Sequence, residues 1–130
     1  GQPEITRGLI PGFGGTQRLL RLAGRAATLE LCLLGAPIGA ERAMQLGIVN
    51  RVLPAAELEA ATFAIAEQLA NAAPQALRGI LDAVLIGGES PIDVGLDYET
   101  QGFAIAFSTE DMKEGTGAFL AKRKPCFTGR

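Results

Sequence analysis

The sequence predicts a mostly α-helical chain with a minor β component, in two parts that meet after Pro54. Through most of the chain, apolar residues recur every three or four positions, which is typical of amphipathic helices. Residues 48–53 instead form a short run rich in β-branched side chains, and this run predicts a strand. We therefore expect residues 1–54 to alternate loops, short helices and strand, and residues 55–130 to be helical.

The first part contains three predicted short helices. The first two lie between residues 16 and 34, where Gly24 and Gly35 act as stops, and the third covers residues 41–46 before Gly47. The turn signal Pro11-Gly12 and the pair Gly14-Gly15 precede the first helix. Glycine there allows positive φ or close backbone contact, and the exposed amides of a helix start suit an anion or a polarised carbonyl.

Four helices are predicted in the second part. The first covers residues 55–72, and the second opens at Pro74 and closes at Gly87-Gly88. Residues 90–93, Ser-Pro-Ile-Asp, approximate a capping box that introduces the third helix. Thr109 is the predicted N-cap of the fourth helix, which ends near Lys122-Arg123-Lys124.

Composition excludes several classes of protein. The 130 residues carry a net charge of −2, and their basic residues are scattered until the C-terminus, which argues against nucleic-acid binding. No apolar run approaches membrane-spanning length, so we expect no membrane association. Cys32 and Cys126 lack metal or redox spacing, which favours a reducing cytoplasm. Because there is no histidine, Ser-His and Cys-His nucleophile systems are excluded within this chain, and a metal site is not expected.

Any chemistry must therefore use carboxylates and backbone amides, and Glu4 is the first candidate. Pro3 restricts Gln2 to extended conformations, so Glu4 is predicted at the end of a strand or in the loop that leaves it. A single acid after proline is more often a solvated loop side chain than a catalytic group. The glycines near Gly12 fit neither nucleotide-loop motif, and from spacing alone a structural turn is favoured over a ligand-facing loop.

The C-terminal part carries more apolar surface than it can bury alone. We expect some of its apolar side chains to face another subunit, and oligomerisation is therefore predicted. The alternative is that all of them pack into a hydrophobic core within this chain. The side chains concerned are Phe103, Phe107, Met112, Phe119, Leu120 and Phe127. Lys122 and its basic neighbours are favoured as a complement to the helix dipole over a phosphate site.

Three stretches together resemble the enoyl-CoA hydratase/isomerase (crotonase) family. They are Gln2-Pro3-Glu4-Ile5 with residues 8–19, residues 34–52, and residues 107–125. The likeness spans the whole chain and corresponds to the later half of a family subunit. It implies that residues 1–54 are the end of an α/β crotonase spiral with the second active-site segment. Residues 55–130 would then be a C-terminal helical oligomerisation domain.

The resemblance also implies an activity and roles for four residues. The parent protein would be an enoyl-CoA hydratase that stabilises an enolate with two backbone amides supplied by the upstream half. Glu4 would deliver a proton to the α-carbon, and the Gly12 amide would support the acyl group or the water. Phe103 would pack near the adenine of CoA and Lys122 near its phosphates, both across a subunit boundary. No cofactor is implied, since CoA is part of the substrate, and the assembly would be a trimer or a dimer of trimers.

Two other functions stay open at this point. A Δ3,Δ2-enoyl-CoA isomerase of the same family can shuttle a proton with a single glutamate equivalent to Glu4. A non-catalytic oligomerisation module would need only the helices of residues 55–124, with Glu4 as an exposed loop acid. If the parent protein is a hydratase or an isomerase, the isolated 130 residues should be inactive, because the backbone amides that stabilise the enolate belong to the upstream half.

Overall fold

The computed structural model describes residues 1–130 and consists of helices, turns and loops, with no strand. The elements are a 3-10 turn at Pro3–Arg7, α1 at Gly15–Leu34, α2 at Ala40–Gln45, α3 at Ala55–Ala70, α4 at Pro74–Leu85, a 3-10 turn at Gly87–Glu89, α5 at Ile92–Phe107 and α6 at Glu110–Leu120. The chain forms two compact units, Gly1–Glu57 and Leu58–Arg130.

Glycine divides and ends α1 as expected. Gly24 has φ 75° and ψ 171°, so the helix is interrupted there and continues in a new direction. Gly35 has φ 67°, and its N–H donates to the carbonyl of Leu31 at 3.1 Å. Both conformations are strained for a residue with a side chain. The prediction of two short helices with these stops is confirmed.

The predicted β component is wrong for this chain. Residues 48–50 form bends and residues 51–54 have no regular structure, so the run is not a strand. Glu4 likewise lies in the 3-10 turn rather than at the end of a strand. A strand needs the backbone hydrogen bonds of a neighbouring strand, and no segment of this chain supplies them. Composition alone made residues 48–53 look like a strand.

Side chains of the Glu4 segment lie against glycines at both ends of α1 in the first unit. A Cβ built on Gly15 would lie 2.9 Å from the Oε1 atom of Gln2, and one on Gly35 would lie 2.9 Å from Cγ2 of Ile5. A side chain at Gly35 would displace Ile5, whereas one at Gly15 would displace only the flexible end of Gln2. Gly35 therefore lets the segment that carries Glu4 lie close to the end of α1.

In the second unit, α4 and α5 cross with their backbones in contact. A Cβ on Gly79 would lie 3.5 Å from Cα of Gly102. Near the 3-10 turn the approach is closer, because a Cβ on Gly87 would lie 3.1 Å from Cα of Gly95. The absence of side chains at these four glycines lets α4 approach α5 at Gly79, and lets the 3-10 turn approach α5 at Gly87.

Only one of the two predicted N-terminal caps is present. The Oγ1 atom of Thr109 accepts a hydrogen bond from the Met112 N–H at 3.1 Å, so this cap is confirmed. The capping box at residues 90–93 is wrong: the N-cap of α5 is Pro91, and the Ser90 hydroxyl donates to the Ile86 carbonyl at 2.9 Å. The Ser90 side chain thus donates a hydrogen bond to a carbonyl four residues earlier instead of capping the N-terminus of α5.

Very little of the apolar surface is buried within the chain. The only buried hydrophobic side chains are Leu19, Leu31 and Ala118. Phe103 is 69% exposed and Phe119 is 81% exposed. These side chains therefore do not form a hydrophobic core within the chain, and a large apolar surface is left exposed. No helix is both long and apolar enough to cross a membrane.

Candidate functional site

Glu4 is held by the 3-10 turn with its side chain half-buried. Its backbone carbonyl accepts from the Leu9 N–H at 3.1 Å, which closes the turn. The carboxylate atom Oε2 is buried and has no hydrogen-bond partner. A buried polar atom is normally paired, because desolvation without a hydrogen bond raises the free energy of the folded state. This geometry is unlike that of a solvated loop acid.

The glycine-rich loop before α1 is held in an unusual backbone conformation. Phe13 and Gly14 both have positive φ, 50° and 75°. The Arg18 guanidinium donates to the Phe13 carbonyl and lies against Gly14, where a Cβ would be 2.9 Å from its Nη1 atom. The Phe13 side chain is 100% exposed. The sequence reasoning proposed freedom at the glycines but missed the role of Arg18.

Gly12 lies at the open side of this loop. Its carbonyl accepts from the Gly15 N–H at 2.9 Å, and a Cβ added to Gly12 would meet no atom within 4 Å. Gln2, two residues before Glu4, packs against Gly15. The first unit therefore joins the Glu4 segment to the start of α1, which Gly12 precedes.

Phe103 lies on α5 in the second unit, stacked on Phe107 with ring centroids 5.9 Å apart and 23° between the planes. It lines a cavity of about 450 Å³ where the start of α4, the end of α5 and the start of α6 meet, together with Met112, Gly115 and Phe127. The walls are mostly apolar. Such a space can accept a flat, partly apolar group against an aromatic ring.

Lys122 follows α6 in a left-handed conformation, with φ 52°. Its N–H donates to the Phe119 carbonyl at 3.1 Å, and the next N–H, of Arg123, donates to Ala118 at 3.0 Å. These two bonds form a Schellman motif, in which the left-handed position is usually glycine. The Lys122 side chain is exposed.

A carboxylate on α6 holds the chain immediately after Lys122. Both oxygens of Glu114 accept from the Arg123 guanidinium, at 2.6 and 2.7 Å, and Oε1 also accepts from the Cys126 N–H at 2.8 Å. The hydrogen bonds from Arg123, followed by that from Cys126, lower the pKa of Glu114 from about 4.5 to about 2. Glu114 is therefore ionised throughout the neutral range.

A second carboxylate holds the end of the chain. Asp111 is only 3% exposed and accepts from the N–H groups of Thr128 and Gly129, at 2.7 and 2.9 Å. Its own N–H donates to the Arg130 carbonyl at 3.0 Å. From the sequence, Asp111 is only an acid in the first turn of α6, where a negative charge favours the helix start. No local pattern reveals its contacts, because they span 17 and 18 residues.

The four predicted site residues are thus divided between the two units. Glu4 and Gly12 belong to the first unit, and Phe103 and Lys122 belong to the second. The first unit combines a buried, unpaired carboxylate oxygen with an open glycine loop, an arrangement suited to proton transfer. The second unit combines an exposed aromatic pair with an exposed cation. The roles of these four residues remain predictions.

Comparison with known proteins identifies the family. The family model described as enoyl-CoA hydratase/isomerase matches residues 1–130. The chain is 43% identical over 130 residues to a protein of Mycobacterium bovis named as a probable enoyl-CoA hydratase, and 40% identical over 130 residues to 2,3-dehydroadipyl-CoA hydratase of Escherichia coli. In each case the match covers 100% of this chain and 51% of the relative.

Solved structures agree. The fold superimposes on an enoyl-CoA hydratase crystal structure from Geobacillus kaustophilus with a TM-score of 0.94 and 42% identity, covering 100% of this chain and 49% of that one. The chain therefore spans about half the length of these relatives. With a family model matched over residues 1–130, the chain belongs to the enoyl-CoA hydratase/isomerase family.

Proposed function

We propose that these 130 residues are the later half of an enoyl-CoA hydratase subunit, which reversibly adds water to a 2-enoyl-CoA thioester. The observation that carries the proposal is Glu4, whose Oε2 atom is buried and has no partner within the chain. Relatives named as hydratases support hydration over isomerisation, among them a short-chain-enoyl-CoA hydratase of Clostridium acetobutylicum that is 40% identical.

The order of the matched stretches supports the placement in the later half, since the Glu4 segment resembles the second active-site segment of the family. Superposition on the complete Geobacillus subunit tests this placement. The 130 residues should fall on the last half of that chain, and the uncovered half should supply the strands that residues 48–53 lack. A match to the first half would contradict the placement.

In the proposed reaction, a second glutamate from the other half activates the water that attacks the β-carbon. Glu4 delivers a proton to the α-carbon as the enolate collapses, and in the reverse direction it takes that proton back. Two backbone amides of the other half stabilise the enolate oxygen. The Gly12 amide, on the open side of its loop, supports the acyl group or the water.

CoA binding is proposed to involve the second unit of a neighbouring subunit. The exposed ring of Phe103, stacked on Phe107, would pack against adenine, and the exposed ammonium of Lys122 would approach the phosphates. The large uncovered apolar surface supports a homo-oligomer, as a trimer or a dimer of trimers, with residues 55–130 as its assembly domain. We also propose a cytoplasmic location, which is compatible with both cysteines being free.

Replacing Glu4 by glutamine in the full-length subunit tests the mechanism. Glutamine keeps the shape but cannot exchange the proton, so hydration of crotonyl-CoA should fall at least about a hundredfold. Glu41→Gln, on an exposed glutamate of α2, is the matched control and should stay close to wild type. Turnover of the Glu4→Gln variant near the wild-type rate would remove Glu4 from the mechanism. Conversion of a 3-enoyl-CoA faster than hydration would instead assign the isomerase activity.

The isolated 130 residues should not hydrate crotonyl-CoA, because the oxyanion amides and the second glutamate belong to the other half. The measurement is the hydration rate of the purified 130-residue chain beside that of the full-length subunit. Comparable turnover by the two proteins would show that the catalytic groups all lie within these residues.

A further inference from the structure

The turn that follows α6 holds Lys122 in a conformation that lysine does not favour. With φ 52°, it occupies the left-handed position of a Schellman motif, where glycine is the usual residue. A side chain there destabilises the turn, and such outliers persist only where the surroundings impose them. The exposed ammonium group gives the site something that glycine cannot supply.

The contacts that impose this conformation come from α6 and from the residues that follow Lys122. The Nη1 and Nη2 atoms of the Arg123 guanidinium donate to the two carboxylate oxygens of Glu114. Arg123 Nη1 also donates to the Lys124 carbonyl at 3.1 Å. The Cys126 N–H reaches the same carboxylate at 2.8 Å. Glu114 therefore closes a loop over residues 114–126 and fixes the backbone on the C-terminal side of Lys122.

The bidentate geometry separates this ion pair from ordinary surface pairs. The neighbouring pair on α6, Lys113 with Glu110 at 2.7 Å, joins two exposed side chains within one helix and restrains nothing beyond it. The pair of Glu114 and Arg123 joins residues nine apart in sequence and includes a backbone amide three residues further on. Its effect is to define the direction in which the turn leaves the helix.

We propose that Glu114, acting through Arg123, is a positioning residue that orients Lys122 towards the phosphates of bound CoA. This inference rests on the proposed function, because it needs a CoA thioester as the substrate. It predicts that a carboxylate assists the binding of an anion. Simple electrostatics predicts the opposite, since removing a negative charge beside Lys122 would strengthen phosphate binding.

The test uses the full-length subunit with two substrates, crotonyl-CoA and the crotonyl thioester of N-acetylcysteamine, which lacks the nucleotide and its phosphates. Lys122→Ala should raise KM for crotonyl-CoA about tenfold, the usual effect of losing one charged hydrogen bond. Glu114→Gln should raise the same KM about threefold to tenfold with kcat within about twofold, since the chemistry is untouched. Neither variant should change KM for the short thioester.

The combination of variants separates positioning from general damage to the structure. If Glu114 acts only through Lys122, Glu114→Gln should add nothing to KM in the Lys122→Ala background. Glu110→Gln, which removes the same charge and also breaks an ion pair on α6, should leave KM unchanged. If Glu114→Gln does not fold, Arg123→Lys is the second variant. It keeps the positive charge but cannot make the bidentate contact with Glu114, so it tests the same effect on Lys122.

Three outcomes would overturn the inference. One is an unchanged or lower KM for crotonyl-CoA in Glu114→Gln, and another is an equal rise in KM for both substrates. The third is an unchanged KM in Lys122→Ala, which would remove the phosphate contact itself. All three leave the proposed hydration chemistry standing, since that is decided separately by the rate of the Glu4→Gln variant.

Discussion

Replacing Glu4 by methionine in the full-length subunit should make the protein more stable and inactive at the same time. Within these 130 residues Glu4 Oε2 is buried without a hydrogen-bond partner, so this chain supplies nothing to offset the desolvation of that carboxylate oxygen. Methionine has a similar length, fills irregular space well and has no polar atom that needs a partner. The substitution therefore removes the penalty while keeping most of the packing.

The size of the effect follows from the burial of Glu4. A buried polar group without a partner costs about 1–3 kcal/mol, and more when it is charged. Glu4 keeps part of its side chain in solvent, so we expect about 1–2 kcal/mol of stabilisation, from the lower part of that range. For a protein of roughly 150–250 residues, about 1 kcal/mol shifts Tm by about 2–4 °C. The expected rise in Tm is thus about 2–8 °C.

The assay is calorimetric unfolding at neutral pH, paired with hydration of crotonyl-CoA. Glu41→Met is the control: Glu41 is exposed in the first turn of α2, so its loss should leave Tm unchanged or slightly lower. A lower or unchanged Tm for Glu4→Met would refute the reasoning. That result would mean that Glu4 Oε2 is paired in the complete protein and contributes to its stability.

The remaining predictions concern the second unit of the same full-length protein. Gly87→Ala places a Cβ 3.1 Å from Gly95 Cα and should cost about 1–3 kcal/mol by overpacking, whereas Gly88→Ala meets no atom within 4 Å and should not lower Tm. Equal Tm values for the two variants would contradict the backbone contact. The pKa of Glu114 is lowered to about 2, so the ionised carboxylate stabilises the folded state. The difference in unfolding free energy between wild type and Glu114→Gln should therefore have its full size above a pH of about 4.5 and should shrink as the pH falls towards 2. Urea unfolding at several pH values measures this, and a difference that grows on acidification would contradict the sign.

The helices were predictable because their signals are local. Gly24 and Gly35 interrupt and end α1 and Pro74 opens α4 through backbone geometry, and Thr109 caps α6 with its side-chain oxygen, each within a few residues. The strand at residues 48–53 was not predictable in this way. β-branched composition shows that a segment suits a sheet, but only hydrogen bonds to another strand make it one.

The candidate site shows the same division between local and distant information. The sequence by itself determined which carboxylate to consider, since Glu4 and the glycine loop lie within one short stretch that resembles a known active-site segment. Only the tertiary structure decided that Glu4 Oε2 is buried without a partner, and that Asp111 and Glu114 hold the end of the chain. Burial and long-range hydrogen bonds depend on segments that folding brings together from distant positions, and no local pattern of residues encodes which segments will meet.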